Sequence, residues 1–182
     1  FLHSHGRREK SERRVAHRRK WPRRPMPVMM LHQDGSRHVW LRGLAAMDLI
    51  VTMDDATSDI YSAFVCEEKG TASTFRALRD VFAKHGLPLS LYTDRGSHYF
   101  HTEEAGGPVD RKRLTQVGRA LERLGVEHIA AYSPQARGRS ERLFQTLQDR
   151  LVKELALNGI ETVEAANAFC QRLLARCLYP RP

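Results

Sequence analysis

The chain has 182 residues, of which 41% are hydrophobic, so it is long enough for one domain with a buried core. Its apolar runs are too short to span a bilayer, and its basic start lacks the apolar region of a secretory signal. The three cysteines show neither metal-ligand spacing nor an even disulfide set, so we expect reduced thiols in a cytosolic protein.

The positive charge is concentrated at the start of the chain. Residues 1–27 contain ten of the 30 basic side chains and two of the 21 acidic ones, so they carry +8 and the remainder carries +1. We predict a disordered or partly helical basic arm that ends in an extended, proline-rich linker, followed by a domain over residues 28–182. Such an arm suits nucleic acid, which it would bind with release of counterions, and a solvated tail is the alternative.

Five strands are predicted by short runs of apolar and β-branched residues. The first three follow one another without a helix between them, and the short ATS link between the second and the third fits an antiparallel hairpin. The predicted strands cover 28–34, 48–55, 59–67, 89–94 and 126–132.

Four helices are predicted by apolar residues at three- and four-residue spacing, such as Leu143, Leu147 and Leu151. They cover 71–86, 113–125, 141–157 and 161–177. Gly35 is expected to end the first strand, and residues 133–140 are expected to form a loop ahead of the third helix. This order predicts an α/β fold in which a five-stranded mixed sheet is flanked by helices on both faces.

Three carboxylates come at comparable places, where a strand ends or a helix begins. Asp34 is expected to end the first strand, Asp94 the fourth, in LYTDRGS, and Glu141 to open the long helix. Three acids at one end of a sheet repel one another unless a cation lies between them, and hard divalent ions such as Mg²⁺ accept such oxygen ligands. Two such ions can hold both the attacking and the leaving oxygen of a phosphodiester.

Each of these acids also has a local structural interpretation. An aspartate at a strand end is commonly a turn residue, and Glu141 after Ser140 fits the first turn of a helix. We interpret the adjacent pair Asp54 and Asp55 as the edge of the hairpin turn. Spacing alone leaves these alternatives open.

Longer motifs add a family resemblance. The segments MMLHQDGS, LIVTMDDATSDIYSAFV, LSLYTDRGSHYF and IAAYSPQARGRSERLFQTLQDRL closely resemble the core of retroviral-type integrases and insertion-sequence transposases. That family is marked by a TDNGS-like turn and by a PQ-x-x-G-x-x-E entry into a helix, which is matched here by Pro134, Gln135, Gly138 and Glu141. The longer segments HQDGSRHVW and YTDRGSHYFHT most resemble bacterial transposases of the ISNCY type. The resemblance covers about residues 28–168.

The resemblance implies an RNase H-like fold and a DDE triad of catalytic, metal-binding acids. In this chain the triad corresponds to Asp34, Asp94 and Glu141. The implied cofactor is Mg²⁺ or Mn²⁺, with two ions when DNA is bound. A place in the bacterial cytoplasm or nucleoid follows from the same resemblance.

Two features depart from the family pattern. The motif around Asp34 is short, and Asp48, Asp54 and Asp55 are the alternative candidates for the first acid of the triad. The second and third acids are separated by 46 residues, which is more than the family's commonest spacing, and the segment HTEEAGGPVDRKR resembles an insertion.

The resemblance also implies DNA as the partner, both as element ends and as target, and a homo-oligomer, because two ends must be joined. Arg95 could contact a phosphate or pair with a nearby acid. The candidate DNA-binding residues are Arg18, Arg19, Lys20, Arg95, Gln135, Arg137, Arg139 and Arg142.

The ends of the chain differ from an intact transposase, because it starts without methionine and the resemblance fades after about Phe169. We therefore expect a truncated copy. The first functional hypothesis is a metal-dependent enzyme that cleaves DNA and transfers strands in DNA transposition, integration and recombination. The second is an inactive remnant that binds DNA through its arm. The third is an RNase H-like nuclease that cleaves without strand transfer.

Overall fold

The computed structural model describes residues 22–104, 107–132 and 134–178, without the side chains of 134–139 and 174–178. The strands are β1 (Met30–His38), β2 (Met47–Asp54), β3 (Ile60–Cys66), β4 (Ser90–Thr93), β5 (His101–Thr102), β6 (Val109–Asp110) and β7 (Glu127–Ala130). The helices are α1 (Thr71–His85), α2 (Gln116–Arg123), α3 (Pro134–Leu157) and α4 (Val163–Leu178). None of these described helices is both long and apolar enough to cross a bilayer.

The main sheet has five strands in the order β3-β2-β1-β4-β7. The first three strands of the chain form an antiparallel meander, whereas β4 runs parallel to β1 and β7 runs parallel to β4. Parallel neighbours need a crossover connection, and α1 and α2 provide the two that occur here. The predicted five-stranded mixed sheet is therefore confirmed.

β1 is longer than the sequence predicts, and the expectation that Gly35 ends it is wrong. The antiparallel ladder with β2 continues through Gly35, which pairs with Ile50, as far as His38. Asp34 therefore lies within the strand and not at its end. Glycine at position 35 allows the side chain of Lys69 to pass close to the strand, because a Cβ built there would lie 2.8 Å from Cδ of Lys69.

Regular structure occurs in two segments for which the sequence did not predict it. The loop expected over 133–140 is wrong from Pro134 onwards, because α3 begins at that residue. Proline suits the first turn of a helix, where its missing N–H would have no partner within the helix. The segment identified as an insertion contains a small second sheet, in which β5 pairs with β6.

The sheet is covered by helices on both faces, and β2 shows this most clearly. Leu49 and Val51 belong to an apolar cluster with side chains of α3 and α4, whereas Ile50 between them packs with Ala77 of α1. All eight residues of β2 are buried. A one-residue slip would exchange the two sets of side chains, so burial on both faces fixes the register of the strand.

The turn between β2 and β3 also holds the chain segment that leads into β1. Asp54 accepts a hydrogen bond from the backbone N–H of Val28 (2.8 Å), and Asp55 accepts one from the backbone N–H of Arg24 (2.7 Å). Both aspartates are buried, so these donors compensate their lost hydration. Asp55 also contacts Nε2 of His32 at 2.8 Å. The interpretation of the pair as turn residues is confirmed.

The edge strand β3 is held by α4 through one side-chain amide. Asn167 accepts a hydrogen bond from the backbone N–H of Val65 (2.7 Å) and donates one to the carbonyl of the same residue (3.0 Å). Val65 is fully buried, so water does not replace these two bonds readily.

We expect Asn167→Ala to lower the free energy of unfolding by about 2 kcal/mol, because it leaves two buried backbone groups without partners. Urea denaturation followed by circular dichroism measures this change. Asn158→Ala is the matched control, since it removes only an exposed bond from an asparagine side chain to the carbonyl of Glu154. An equally small loss in both variants would contradict the role of Asn167.

Candidate active site

The parallel pairing of β1 with β4 brings Asp34 and Asp94 side by side. The last pair in this ladder is Gln33 with Thr93, and the two aspartates come directly after it. Their side chains are 23% and 17% exposed, so both carboxylates are partly buried but remain accessible to a small ligand. The register of one strand pair is thus enough to bring together two of the three predicted acids.

Short backbone hydrogen bonds orient both carboxylates. Oδ1 of Asp94 accepts a bond from the N–H of Gly96 (3.0 Å), and Oδ1 of Asp34 accepts one from the N–H of Gly35 (2.8 Å). A Cβ built on Gly96 would lie only 3.1 Å from the Asp94 oxygen and 2.9 Å from the ring of His98. Glycine therefore leaves the space in which this tight turn closes on its own aspartate.

A lysine that sequence reasoning missed lies between the two carboxylates. Nζ of Lys69 is 3.0 Å from Oδ1 of Asp34 and 2.7 Å from Oδ2 of Asp94, and its side chain is only 15% exposed. Nζ also lies 5.6 Å from the ring centroid of Tyr99. The segment EEKG ahead of α1 is typical of a solvated helix start, so it carried no signal of this position.

The backbone of Lys69 is fixed by a further acid. Oδ2 of Asp48 accepts a hydrogen bond of 2.7 Å from the Lys69 N–H, and an Arg37 guanidinium nitrogen lies 3.7 Å from the same oxygen. Asp48, one of the substitutes for Asp34 in the triad, therefore positions the lysine. The other two substitutes, Asp54 and Asp55, are occupied by the turn and the segment ahead of β1.

A buried polar chain lies behind the carboxylates. The hydroxyl of Tyr99 donates to Oε1 of Gln33 (2.8 Å), and Nε2 of Gln33 donates to Oγ1 of Thr52 (3.1 Å). Burial raises the pKa of Tyr99 well above its usual range, and the charges of Asp94 and Asp34 add to this. The phenol is therefore a neutral structural donor that ties the segment after β4 to β1 and β2.

Two histidines near Asp94 are neutral at pH 7. Burial lowers the pKa of His98, and the charge of Lys69 lowers it further. Burial, followed by the neighbouring His98, lowers the pKa of His128 to about 4. Neither ring therefore adds positive charge beside the ammonium of Lys69.

Glu141 lies in the second turn of α3 with an exposed side chain. Gln148, two helical turns later and on the same face, donates a hydrogen bond of 2.9 Å to Oγ of Ser36, so this face of α3 is directed at β1. The described residues nevertheless contain no group of three His, Cys, Asp or Glu side chains that could hold a metal. The structure thus brings Asp34 and Asp94 together and does not join Glu141 to them.

The other predicted DNA contacts fall mostly outside what the structure describes. Arg18, Arg19 and Lys20 lie outside the described residues. The side chains of Gln135, Arg137 and Arg139 are likewise not described, although their backbone belongs to α3. Arg142 is exposed on the same helix.

Relatives of known class match most of this chain. It is 34% identical over 148 residues to the transposase for insertion sequence IS1202 of Streptococcus pneumoniae, a match that covers 81% of the chain and 32% of the relative. It is 37% identical over 146 residues to the putative transposase y4bF of Sinorhizobium fredii, covering 79% of the chain and 31% of the relative. The chain is a homologue of insertion-sequence transposases. It spans about a third of the length of these two relatives, and no family model matches it.

Retroviral integrase cores are among the solved structures that are similar to this chain. A chain of the simian T-cell lymphotropic virus intasome, solved in complex with PP2A regulatory subunit B56 gamma, has a TM-score of 0.63 at 20% identity. The match covers 82% of this chain and 49% of that chain. The HTLV-2 integrase catalytic core domain, solved with magnesium in a trimeric form, has a TM-score of 0.59 at 16% identity, with coverage of 80% and 83%. The predicted RNase H-like fold of an integrase core is therefore confirmed.

Arg95, beside Asp94, contacts the segment that carries the small β5–β6 sheet. Its guanidinium donates a hydrogen bond of 2.7 Å to the carbonyl of Gly107 and lies 5.0 Å from the ring centroid of Tyr132. The hydroxyl of Tyr132 in turn accepts a bond of 3.2 Å from the N–H of Val109. The β5–β6 segment is thereby connected directly to the turn that carries Asp94.

We expect Arg95→Ala to increase amide hydrogen exchange in β5 and β6 by about tenfold, because a hydrogen bond from a charged donor contributes roughly 1.5–3 kcal/mol. Exchange followed by mass spectrometry measures this directly. Arg111→Ala is the control, since Arg111 is an exposed residue that directly follows β6. Unchanged exchange in Arg95→Ala would contradict this structural role of the arginine.

Proposed function

We propose that this chain is the catalytic core of a DNA transposase that cleaves phosphodiesters and transfers DNA strands. One observation carries the proposal: Asp34 and Asp94, on neighbouring parallel strands, direct one oxygen each at the same cation. Homology to insertion-sequence transposases over about 80% of the chain supports it, as does the integrase-core fold.

The donor set fits a hard divalent ion. Two carboxylate oxygens already surround a positive charge, the Lys69 ammonium, and oxygen ligands are those that Mg²⁺ and Mn²⁺ prefer. Asp34 and Asp94 would hold the first ion, and Glu141, on the face of α3 directed at β1, would complete a second site when DNA is bound. Ions held there would lower the pKa of a bound water and neutralise charge on the reacting phosphate.

The protein contributes to the reaction by positioning the reacting groups and by supplying charges that complement them. Asp34 and Asp94 are held by backbone hydrogen bonds, and the chain from Tyr99 through Gln33 to Thr52 fixes the strands behind them. Cleavage adds water across a phosphodiester and leaves a 3′-hydroxyl, which then attacks a phosphorus atom of target DNA and displaces a 3′-oxygen there. No covalent enzyme intermediate is needed, so a rigid, charge-complementary site is sufficient.

DNA binding and assembly follow from this proposal. The basic segment before residue 22 and the arginines near the start of α3 would bind DNA phosphates. Joining two element ends requires at least two cores, so we infer a homo-oligomer that acts on DNA in the bacterial cytoplasm. Assembly is a property of the integrase neighbours, whose core domain is described in trimeric and dimeric forms.

A second function, DNA binding without turnover, is favoured by one specific observation. The exposed Glu141 is not part of a three-acid group in the described residues, and a lysine fills the space between the other two acids. A protein fixed in this arrangement would bind DNA through its basic residues and would leave the DNA uncut.

We expect Asp94→Asn to reduce Mn²⁺- or Mg²⁺-dependent nicking and joining by more than about 100-fold, since even residues that only hydrogen-bond to a metal ligand contribute roughly 10–100-fold. The substrate is a labelled duplex that carries the terminal repeat of the element. Asp149→Asn is the matched control, because Asp149 is an exposed acid of α3 whose partner is Lys153.

The products separate the candidate functions. Metal-dependent nicking and joining that Asp94→Asn abolishes supports the transposase core. Nicking without joining favours a nuclease. Absence of both products, with salt-sensitive DNA binding intact, favours the DNA-binding protein without turnover and contradicts the proposal.

A further inference from the structure

Lys69 lies where the first divalent ion would bind, and its placement is specified by several parts of the fold. We propose that Lys69 is a positioning residue: its ammonium holds Asp34 and Asp94 together before an ion binds, and the ion must displace it. Lys69 thereby sets the affinity of the site for divalent ions. This inference rests on the proposed function, because it concerns the same pair of carboxylates.

Three contacts fix the lysine in this place. Its backbone N–H is bound to Oδ2 of the buried Asp48 at 2.7 Å, directly before the start of α1. Its stem crosses β1 at Gly35, where a Cβ would approach Cδ to 2.8 Å. Its ammonium then reaches both carboxylates, at 3.0 Å and 2.7 Å. The missing side chain at Gly35 is thus what allows the stem to reach the carboxylates.

The electrostatics explain why the lysine matters to an ion. Two carboxylates that face each other repel when nothing lies between them, and the Lys69 ammonium removes this repulsion. Because the side chain is 15% exposed, solvent screens these pairs less than it screens ion pairs at the surface. A divalent ion would compete with the Lys69 ammonium for the same two carboxylates. It therefore coordinates both of them only when both contacts of the lysine break.

The ammonium is able to leave. A lysine carries its charge on a flexible four-carbon stem with rotatable donors, so the contacts can break while the backbone of Lys69 stays bound to Asp48. The same anchor keeps the charge close to the site afterwards. The lysine therefore acts as a reversible occupant of the ion's position and not as a permanent block.

The test is Mn²⁺ affinity, measured from the electron paramagnetic resonance signal of free Mn²⁺ in titrations of the full chain. We expect Lys69→Met to bind Mn²⁺ about tenfold more tightly than the unmodified chain, a change within the range typical of coupling between sites. Lys69→Arg keeps a cation between the acids and should restore the original affinity. Lys153→Met, which removes a lysine from an exposed ion pair with Asp149, should leave it unchanged.

Stability gives a second readout that does not depend on activity. In EDTA, Lys69→Met removes the ammonium that lies between the two carboxylates, so their repulsion increases and we expect its urea midpoint to lie below that of the unmodified chain. Saturating Mn²⁺ should remove the difference, because the ion replaces the missing charge. A midpoint that stays low with Mn²⁺ bound would mean that Lys69 only packs, and would overturn the proposal.

Adding Asp94→Asn distinguishes failure of this inference from failure of the proposed function. If Mn²⁺ binds and Asp94→Asn abolishes binding, the metal site of the proposed function stands. Equal or weaker Mn²⁺ binding by Lys69→Met then overturns only the role of Lys69. If neither the unmodified chain nor Lys69→Met binds Mn²⁺, both proposals fail. If Lys69→Met alone binds the ion, the lysine blocks the site permanently, which overturns its role as a reversible occupant and favours DNA binding without turnover.

Discussion

Two ionised carboxylates on neighbouring parallel strands repel each other, and a positive charge between them offsets this repulsion. In this chain Asp34 and Asp94 are such a pair, and the ammonium of Lys69 supplies the charge. Much of the structure around the site serves this arrangement. The β1–β4 register aligns the acids, and the connection between β3 and α1 delivers the lysine.

Small residues and buried polar groups make the arrangement fit. Gly35 gives the lysine stem room to cross β1, and Gly96 lets the turn after β4 close on Asp94. Behind them, Tyr99, Gln33 and Thr52 form a hydrogen-bonded chain across the segments that carry the acids. Buried groups that are fully paired in this way specify one arrangement, because every alternative would leave a polar atom without a partner.

The fold also divides the acidic residues by role. Asp54 and Asp55 bind backbone N–H groups of the segment ahead of β1, and Asp48 binds the backbone of Lys69. The sequence offers these three acids as alternatives to Asp34 in the triad. In the structure, however, their carboxylate oxygens accept hydrogen bonds from backbone N–H groups, so those oxygens are not free to bind a metal. The small β5–β6 sheet is attached through Arg95, which connects it to the turn that carries Asp94.

The sequence by itself indicated the fold class, the order of strands and helices along the chain and the identity of the two acids that meet, whereas the order of strands within the sheet came only from the structure. Alternation of apolar residues and two motifs with fixed spacing were sufficient, because both are local properties of the chain. Local pattern also made predictable errors: Gly35 resembled a strand end, and the segment from Pro134 resembled a loop. In the folded chain, β1 continues through Gly35 and α3 already begins at Pro134, although the local sequence does not favour a strand or a helix at these positions.

Only the tertiary structure decided the position of Lys69, the role of Asp48 and the small sheet in the insertion. Lys69 is 35 residues from Asp34 and 25 from Asp94 along the chain, so no spacing rule relates the three. Their meeting depends on strand register, on the space left by a glycine and on the entry into a helix. These are properties of packed elements, and for that reason a lysine that looks solvated in the sequence lies between two acids in the folded chain.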